Sequence, residues 1–149
     1  MICVVQRTAS SSVKVKGETV GRAGRGLNIL VGIAKGDTEE MADRLSAKIC
    51  GMRIFEDDKG KMNLSLRDVG GSVLVISQFT LLGNTSKGRR PSFENAEEPA
   101  RARELYLYFA DCFRNSGIHT ETGVFGADML VSIENDGPVT FVLTDSDRR

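Results

Sequence analysis

The chain has 149 residues with twenty basic and twenty acidic side chains, so it carries no net formal charge at pH 7. That length suits one domain able to bury about 70% of the surface its unfolded form would expose, and the charge balance excludes the global positive field that drives non-specific nucleic-acid binding. No apolar run approaches the roughly 20 residues of a membrane span, and "MICVVQR" is too short and too soon charged for a signal peptide.

Cys3, Cys50 and Cys112 are an odd, scattered set without a CxxC pair, which fits neither a disulfide framework nor a zinc site. The expectation is a cytoplasmic protein with reduced, mostly buried thiols and no membrane partner. In chain order, the first third reads as a meander of strands. "ICVVQR" is a short apolar run, "SVKVKGETVG" alternates Val13, Val15 and Val20 around a turn at Gly17, and "LNILVGIA" is a longer buried run. "GDTEEMADRLSAKICG" then changes period: Asp37 is the expected cap, Glu40 stands three residues on, and Met41, Leu45 and Ile49 recur at helical spacing up to Gly51.

"MRIF" and "SVLVISQFTLLG" return to strand patterning, separated by the polar turn "EDDKGK". That acidic turn lacks the alternating oxygen ligands of a calcium loop. From Glu97 to Asn115 a second helix puts Leu105, Tyr106, Phe109, Cys112 and Phe113 on one face, with Gly117 as its stop. The last third reads as a short strand, a Gly-rich loop, a strand from Met129 to Glu134, an Asn-Asp-Gly turn and a closing strand from Val139 to Leu143. Residues 1–149 thus predict a single α/β domain, α+β in character. Its β-sheets, mostly antiparallel or mixed, stack in a barrel-like way with two main helices on one outer face, three layers in the order β-β-α.

Obvious catalytic side chains are few. "GRAGRG", residues 21–26, precedes a strand rather than the helix whose N-terminus would hold a phosphate. The lone histidine, His119, reads as structural or surface, and Ser77 lacks a G-x-S-x-G elbow. One histidine and dispersed cysteines leave no metal-ligand spacing, so neither metal nor cofactor is expected. An enzyme built this way rests on backbone donors, positioning and the substrate's own groups. In "ISQFTLLG" polar residues fall on both faces of an apolar strand, which reads either as hydrogen-bonded core polarity or as a site. The stretch runs into "SKGRRPSF", where Lys87, Arg89 and Arg90 crowd together without a carboxylate, a solvated loop or a place for phosphates.

"SQFTL" at 77–81, "KGRRPSF" at 87–93, "TGVFGADM" at 122–129 and "NDGPVT" at 135–140 together resemble the D-aminoacyl-tRNA deacylase family, in order and over nearly the whole chain. "VVQR" ending at Arg7 and "MRIFEDDKGKMNLS" fit as well, whereas the tail "TDSDRR" is only loosely like the family's ending. The resemblance implies a hydrolase that cleaves the ester between a D-amino acid, or mischarged glycine, and the 3'-terminal adenosine of tRNA. It implies a homodimer with active sites at the subunit interface. Ser77, Gln78, Phe79 and Thr80 of one subunit would line a site into which Gly137 and Pro138 of the other reach, joined by a cis peptide, to reject L-amino acids.

By the same resemblance, Phe125 and Met129 would form the platform for the adenine, against an ordinary core reading. Lys87, Arg89 and Arg90 would meet the tRNA backbone, and Arg7 would support the dimeric site. For the chemical step Thr80 as nucleophile competes with water activated by the ribose 2'-hydroxyl, with N–H groups near Phe79 and Thr80 holding the oxyanion. The shortage of acid-base residues favours the second. A non-catalytic nucleic-acid-binding module of the same fold, or a general esterase using Thr80 or Ser77, are the alternatives.

Overall fold

The computed structural model describes residues 1–145, so 146–149 of the tail lie outside the described residues. The elements are β1 Ile2–Val15, β2 Glu18–Ala23, β3 Gly26–Gly32, α1 Glu39–Gly51, β4 Phe55–Glu56, β5 Met62–Leu64, β6 Ser72–Ser77, a 3-10 turn Phe79–Leu82, α2 Pro99–Asn115, β7 Thr120–Thr122 and β8 Leu130–Thr144. β1 is one strand where the sequence suggests two. One edge of it takes β3 along residues 2–8 and β2 along residues 11–15, while the other edge takes β8. Lys16 and Gly17 join β1 to β2 with φ of 50° and 82°, the left-handed pair that matches the twist of a tight hairpin.

β3, β6 and β7 run parallel, so each step needs a crossover. α1 lies in the first and α2 in the second. Both steps advance the sheet in the same direction, and right-handed crossovers therefore leave both helices on one face. That face, with Cys3, Val5, Leu27, Ile29, Val31, Val73 and Val75, packs on Leu45, Ile49, Leu105, Phe109 and Phe113 of the helices. The opposite face closes a smaller core of Val13, Ala23, Leu74 and Ile76.

The sheet curls until β2 meets β7, where Arg22 N donates to the Glu121 carboxylate at 3.2 Å. The result is a nearly closed mixed barrel with two helices outside it, as the patterning predicts. "GRAGRG" serves this closure: a Cβ at Gly21 would collide with the carbonyl of Thr122, and one at Gly26 with the backbone of Ser72. The cysteines are free, with Cys3 and Cys50 buried and Cys112 half-buried.

Three local expectations are corrected. Thr38, not Asp37, caps α1, its hydroxyl accepting from Met41 N at 3.4 Å. Asp37 is buried, pairing with the terminal ammonium of Met1 and accepting from Ala34 N at 2.6 Å. "MRIF" contributes only Phe55 to a strand, because among the described residues β4 pairs with nothing but the short β5 across the Asp57 turn. The Asn-Asp-Gly turn does not separate two strands, since β1 pairs with β8 on both sides of it. Gln6 faces Thr140 and Thr8 faces Asn135, so Arg7 alone stands opposite Asp136, Gly137, Pro138 and Val139, which bulge out of one continuous strand.

Candidate active site

β6 ends at Ser77, earlier than the patterning suggests. The reason is a missing neighbour: β3 stops at Gly32 and β7 pairs no further than Val75. Gln78 N still donates to Val31 O at 2.8 Å, after which the chain coils, with Leu81 N to Gln78 O at 3.2 Å and Gly83 N to Thr80 O at 3.0 Å. Strand alternation therefore does not reach Thr80. Ser77 and Gln78 are half-buried, and Phe79 and Thr80 are exposed.

The Gln78 side-chain amide donates to Thr80 Oγ1, leaving the Thr80 proton free to be donated elsewhere. Among the described residues, no carboxylate or imidazole bonds that hydroxyl, and no acceptor takes the N–H groups of Phe79 and Thr80. His119 sits at the other end of β6, where its carbonyl accepts from Val73 N. A strand of that length separates it from Ser77 by about 16 Å. Its ring pairs at 2.9 Å with Glu121, whose carboxyl that hydrogen bond holds below the usual range. A Ser-His pairing is thereby excluded.

Beyond the 3-10 turn, Asn84 and Ser92 exchange backbone hydrogen bonds of 2.8 and 3.0 Å and close a loop. Lys87, Arg89 and Arg90 are exposed on it. Phe93 at its foot meets Phe79 edge to face, ring centroids 5.0 Å apart.

The Gly137-Pro138 peptide is cis, and both residues are exposed at the crest of the β8 bulge. Arg7 holds the bulge from beneath. Its guanidinium, 5% exposed, donates to Ile54 O at 2.8 Å and to Asp136 O at 3.1 Å. The Asp136 and Glu56 carboxylates lie 3.5 and 3.9 Å away. Asn135, which the sequence reading overlooks, donates to Val139 O at 3.1 Å and to Arg7 O and Thr140 Oγ1 at 3.4 Å. The available signal was an Asx residue directly ahead of a turn.

Phe125 and Met129 are half-buried and belong to different clusters. Phe125 leans on Tyr106 with centroids 5.9 Å apart, whereas Met129 packs with the barrel core of Leu74 and Ile76. The two principal motifs do not meet within one chain either. β6 and β8 are separated by β3 and β1, about 14 Å across the sheet, and Ser77 lies level with Cys3 while the bulge lies level with Arg7, about 13 Å along it.

A family model for D-Tyr-tRNA(Tyr) deacylase matches residues 4–144. The chain belongs to that family. A D-aminoacyl-tRNA deacylase of Geobacter sulfurreducens is 55% identical, over 99% of this chain and 97% of the relative. One of Persephonella marina is 59% identical, over 96% and 97%. The solved structure of a c-Myc DNA unwinding element binding protein superposes with a TM-score of 0.90 at 38% identity, covering 97% of this chain and 98% of that one. As a member of the deacylase family the protein is an enzyme, a hydrolase of the deacylase class. In the deacylase frame, two separated motifs are the parts that need an account: a polar strand end whose Phe79 and Thr80 N–H groups find no acceptor among the described residues, and an exposed, buttressed Gly-Pro crest.

Proposed function

We propose that the protein hydrolyses the ester between a D-amino acid and the 3'-terminal adenosine of tRNA, that it also removes mischarged glycine, and that it works in the cytoplasm as a homodimer. Each site combines Ser77, Gln78, Phe79 and Thr80 of one subunit with Gly137 and Pro138 of the other. The observation that carries this reading is the distance between those motifs within one chain, which a second copy supplying the other half would bridge. Large apolar side chains left open on β8, Leu130 and Val142, agree with a covering subunit.

In the chemical step water adds to the ester carbonyl and the N–H groups of Phe79 and Thr80 hold the oxyanion. The proton of that water passes by way of the ribose 2'-hydroxyl to the departing 3'-oxygen, leaving a free D-amino acid and tRNA. Thr80 is disfavoured as nucleophile, because its oxygen already accepts from Gln78 and no base among the described residues is bonded to its proton. The carbonyls of Gly137 and Pro138 stand beside the substrate's α-carbon, where an L-amino acid would press its Cβ, a D-amino acid would turn it away and glycine has none.

Phe125 and Met129 flank the adenine, Lys87, Arg89 and Arg90 meet phosphates, and Arg7 sets the crest. The shape shared with a DNA-element binding protein leaves a non-catalytic nucleic-acid binder as the second reading. The test is release of D-tyrosine from D-Tyr-tRNA, with L-Tyr-tRNA and a simple D-tyrosine ester as controls and protein concentration varied. Hydrolysis of D-Tyr-tRNA alone, with specific activity falling on dilution, is expected. No hydrolysis would leave the binder, and equal hydrolysis of the simple ester would leave a general esterase.

A further inference from the structure

Phe79 is 56% exposed and Phe93 37%, and they are adjacent, so this is a patch rather than scattered surface apolarity. Their ring planes are inclined at 66°, an edge-to-face arrangement that leaves ring surface open to a third partner. The pair is held in place. A Cβ at position 83 would come within 3.1 Å of Phe93 Cε1, so Gly83 lets that ring lie against the backbone. The reciprocal Asn84 and Ser92 bonds fix the foot of the loop from which Phe93 emerges. Residues 84–92 carry Lys87, Arg89 and Arg90 and no carboxylate, which suits a polyanion better than a second copy of the same loop. Open aromatic rings beside a cationic strip are the two ingredients of single-stranded nucleic-acid binding, stacking for the bases and charge for the backbone.

We propose that the Phe79–Phe93 pair is a stacking platform for the unpaired nucleotide immediately 5' of the terminal adenosine. The proposal rests on the reading of the substrate as an RNA-borne ester and adds a subsite to it. It gives the enzyme a reason to prefer such esters over simple ones, because part of the binding comes from a nucleotide that takes no part in the reaction.

The test uses the full chain and an uncharged RNA hairpin with a single-stranded CCA 3' end, labelled at its 5' end and followed by fluorescence anisotropy. Phe93→Leu should weaken binding about tenfold, the loss of one base-aromatic stack. Making the nucleotide next to the terminal adenosine abasic should weaken the unaltered protein by a similar factor. Combining the two should cost no more than either alone, and Phe93→Tyr, which keeps a ring, should bind as the unaltered protein does. Additive losses, or unaltered binding by Phe93→Leu, overturn the proposal. So does a shift of Phe93→Leu toward monomer in sedimentation, which would make the patch a subunit contact. The abasic RNA needs no variant, so a poorly folded Phe93→Leu leaves the test standing. Because the RNA carries no ester, absence of deacylation would refute the proposed activity without touching this result.

Discussion

Replacing Arg7 with alanine removes the strut under the Gly137-Pro138 crest. The guanidinium makes one buried bond, to Ile54 O at 2.8 Å, and one partly buried bond, to Asp136 O at 3.1 Å. Hydrogen bonds from a charged donor contribute about 1.5–3 kcal/mol each. The carboxylates of Asp136 and Glu56 are more than half exposed and add little. Allowing for partial relaxation around the missing stem, the variant should lose about 3 kcal/mol. Arg7→Lys should recover only part of it, since one ammonium lacks the planar fork that serves both carbonyls.

The assay is urea unfolding at fixed protein concentration, paired with hydrolysis of D-Tyr-tRNA and L-Tyr-tRNA. The midpoint should fall with the slope unchanged, and the D-over-L ratio should fall about tenfold, which corresponds to about 1.4 kcal/mol lost at the crest. A stability loss below about 1 kcal/mol would show that the strut is not energetic. A full loss with an unchanged D-over-L ratio would show that it supports the fold and not selection.

Other outcomes follow from the same geometry. Gly137→Ala forces a side chain onto a backbone with φ of 127°, where its Cβ would lie 2.7 Å from Val139 Cγ2 and 3.1 Å from Arg7 Nη2. We expect about 1–3 kcal/mol of destabilisation by thermal melting and a loss of deacylation. Thr80→Val should slow hydrolysis less than replacing the terminal ribose by its 2'-deoxy form, as measured by single-turnover kinetics; the reverse order would restore Thr80 as nucleophile. Burial pushes the Tyr106 phenol from 10.0 up to about 12. Its folded value is the higher one, so its contribution is whole below pH 10 and is lost as pH rises toward 12. Tyr106→Phe should lessen that alkaline decline without abolishing it, because burial raises the Cys3, Cys50 and Cys112 thiols too and the hydrogen bond to Asp43 raises the Tyr108 phenol. At neutral pH it should cost about 1 kcal/mol for the bond to Val75 O.

Much of the fold is legible in the chain because its signals are local. The helical recurrence of Leu45 and Ile49, and of Leu105, Phe109 and Phe113, places both helices, and Gly117 with φ of 81° ends the second where expected. The shortage of acid-base side chains is equally a property of composition. So is the family resemblance, which rests on motifs quoted from the chain itself.

The tertiary structure decides where strands stop and what they face. "SQFTL" follows an apolar run that would continue as strand, yet the chain coils after Ser77 because β3 and β7 offer no edge there. "NDGPVT" has the composition of a hairpin turn and becomes a bulge, because β1 is long enough to pair with both arms of β8. Asp37 has the spacing of a cap and is drawn instead to a terminal ammonium far away in sequence. Period and turn chemistry act over a few residues and are written in the chain. A strand's end, a bulge and a buried ion pair depend on which distant segment is adjacent, and only the folded chain settles that.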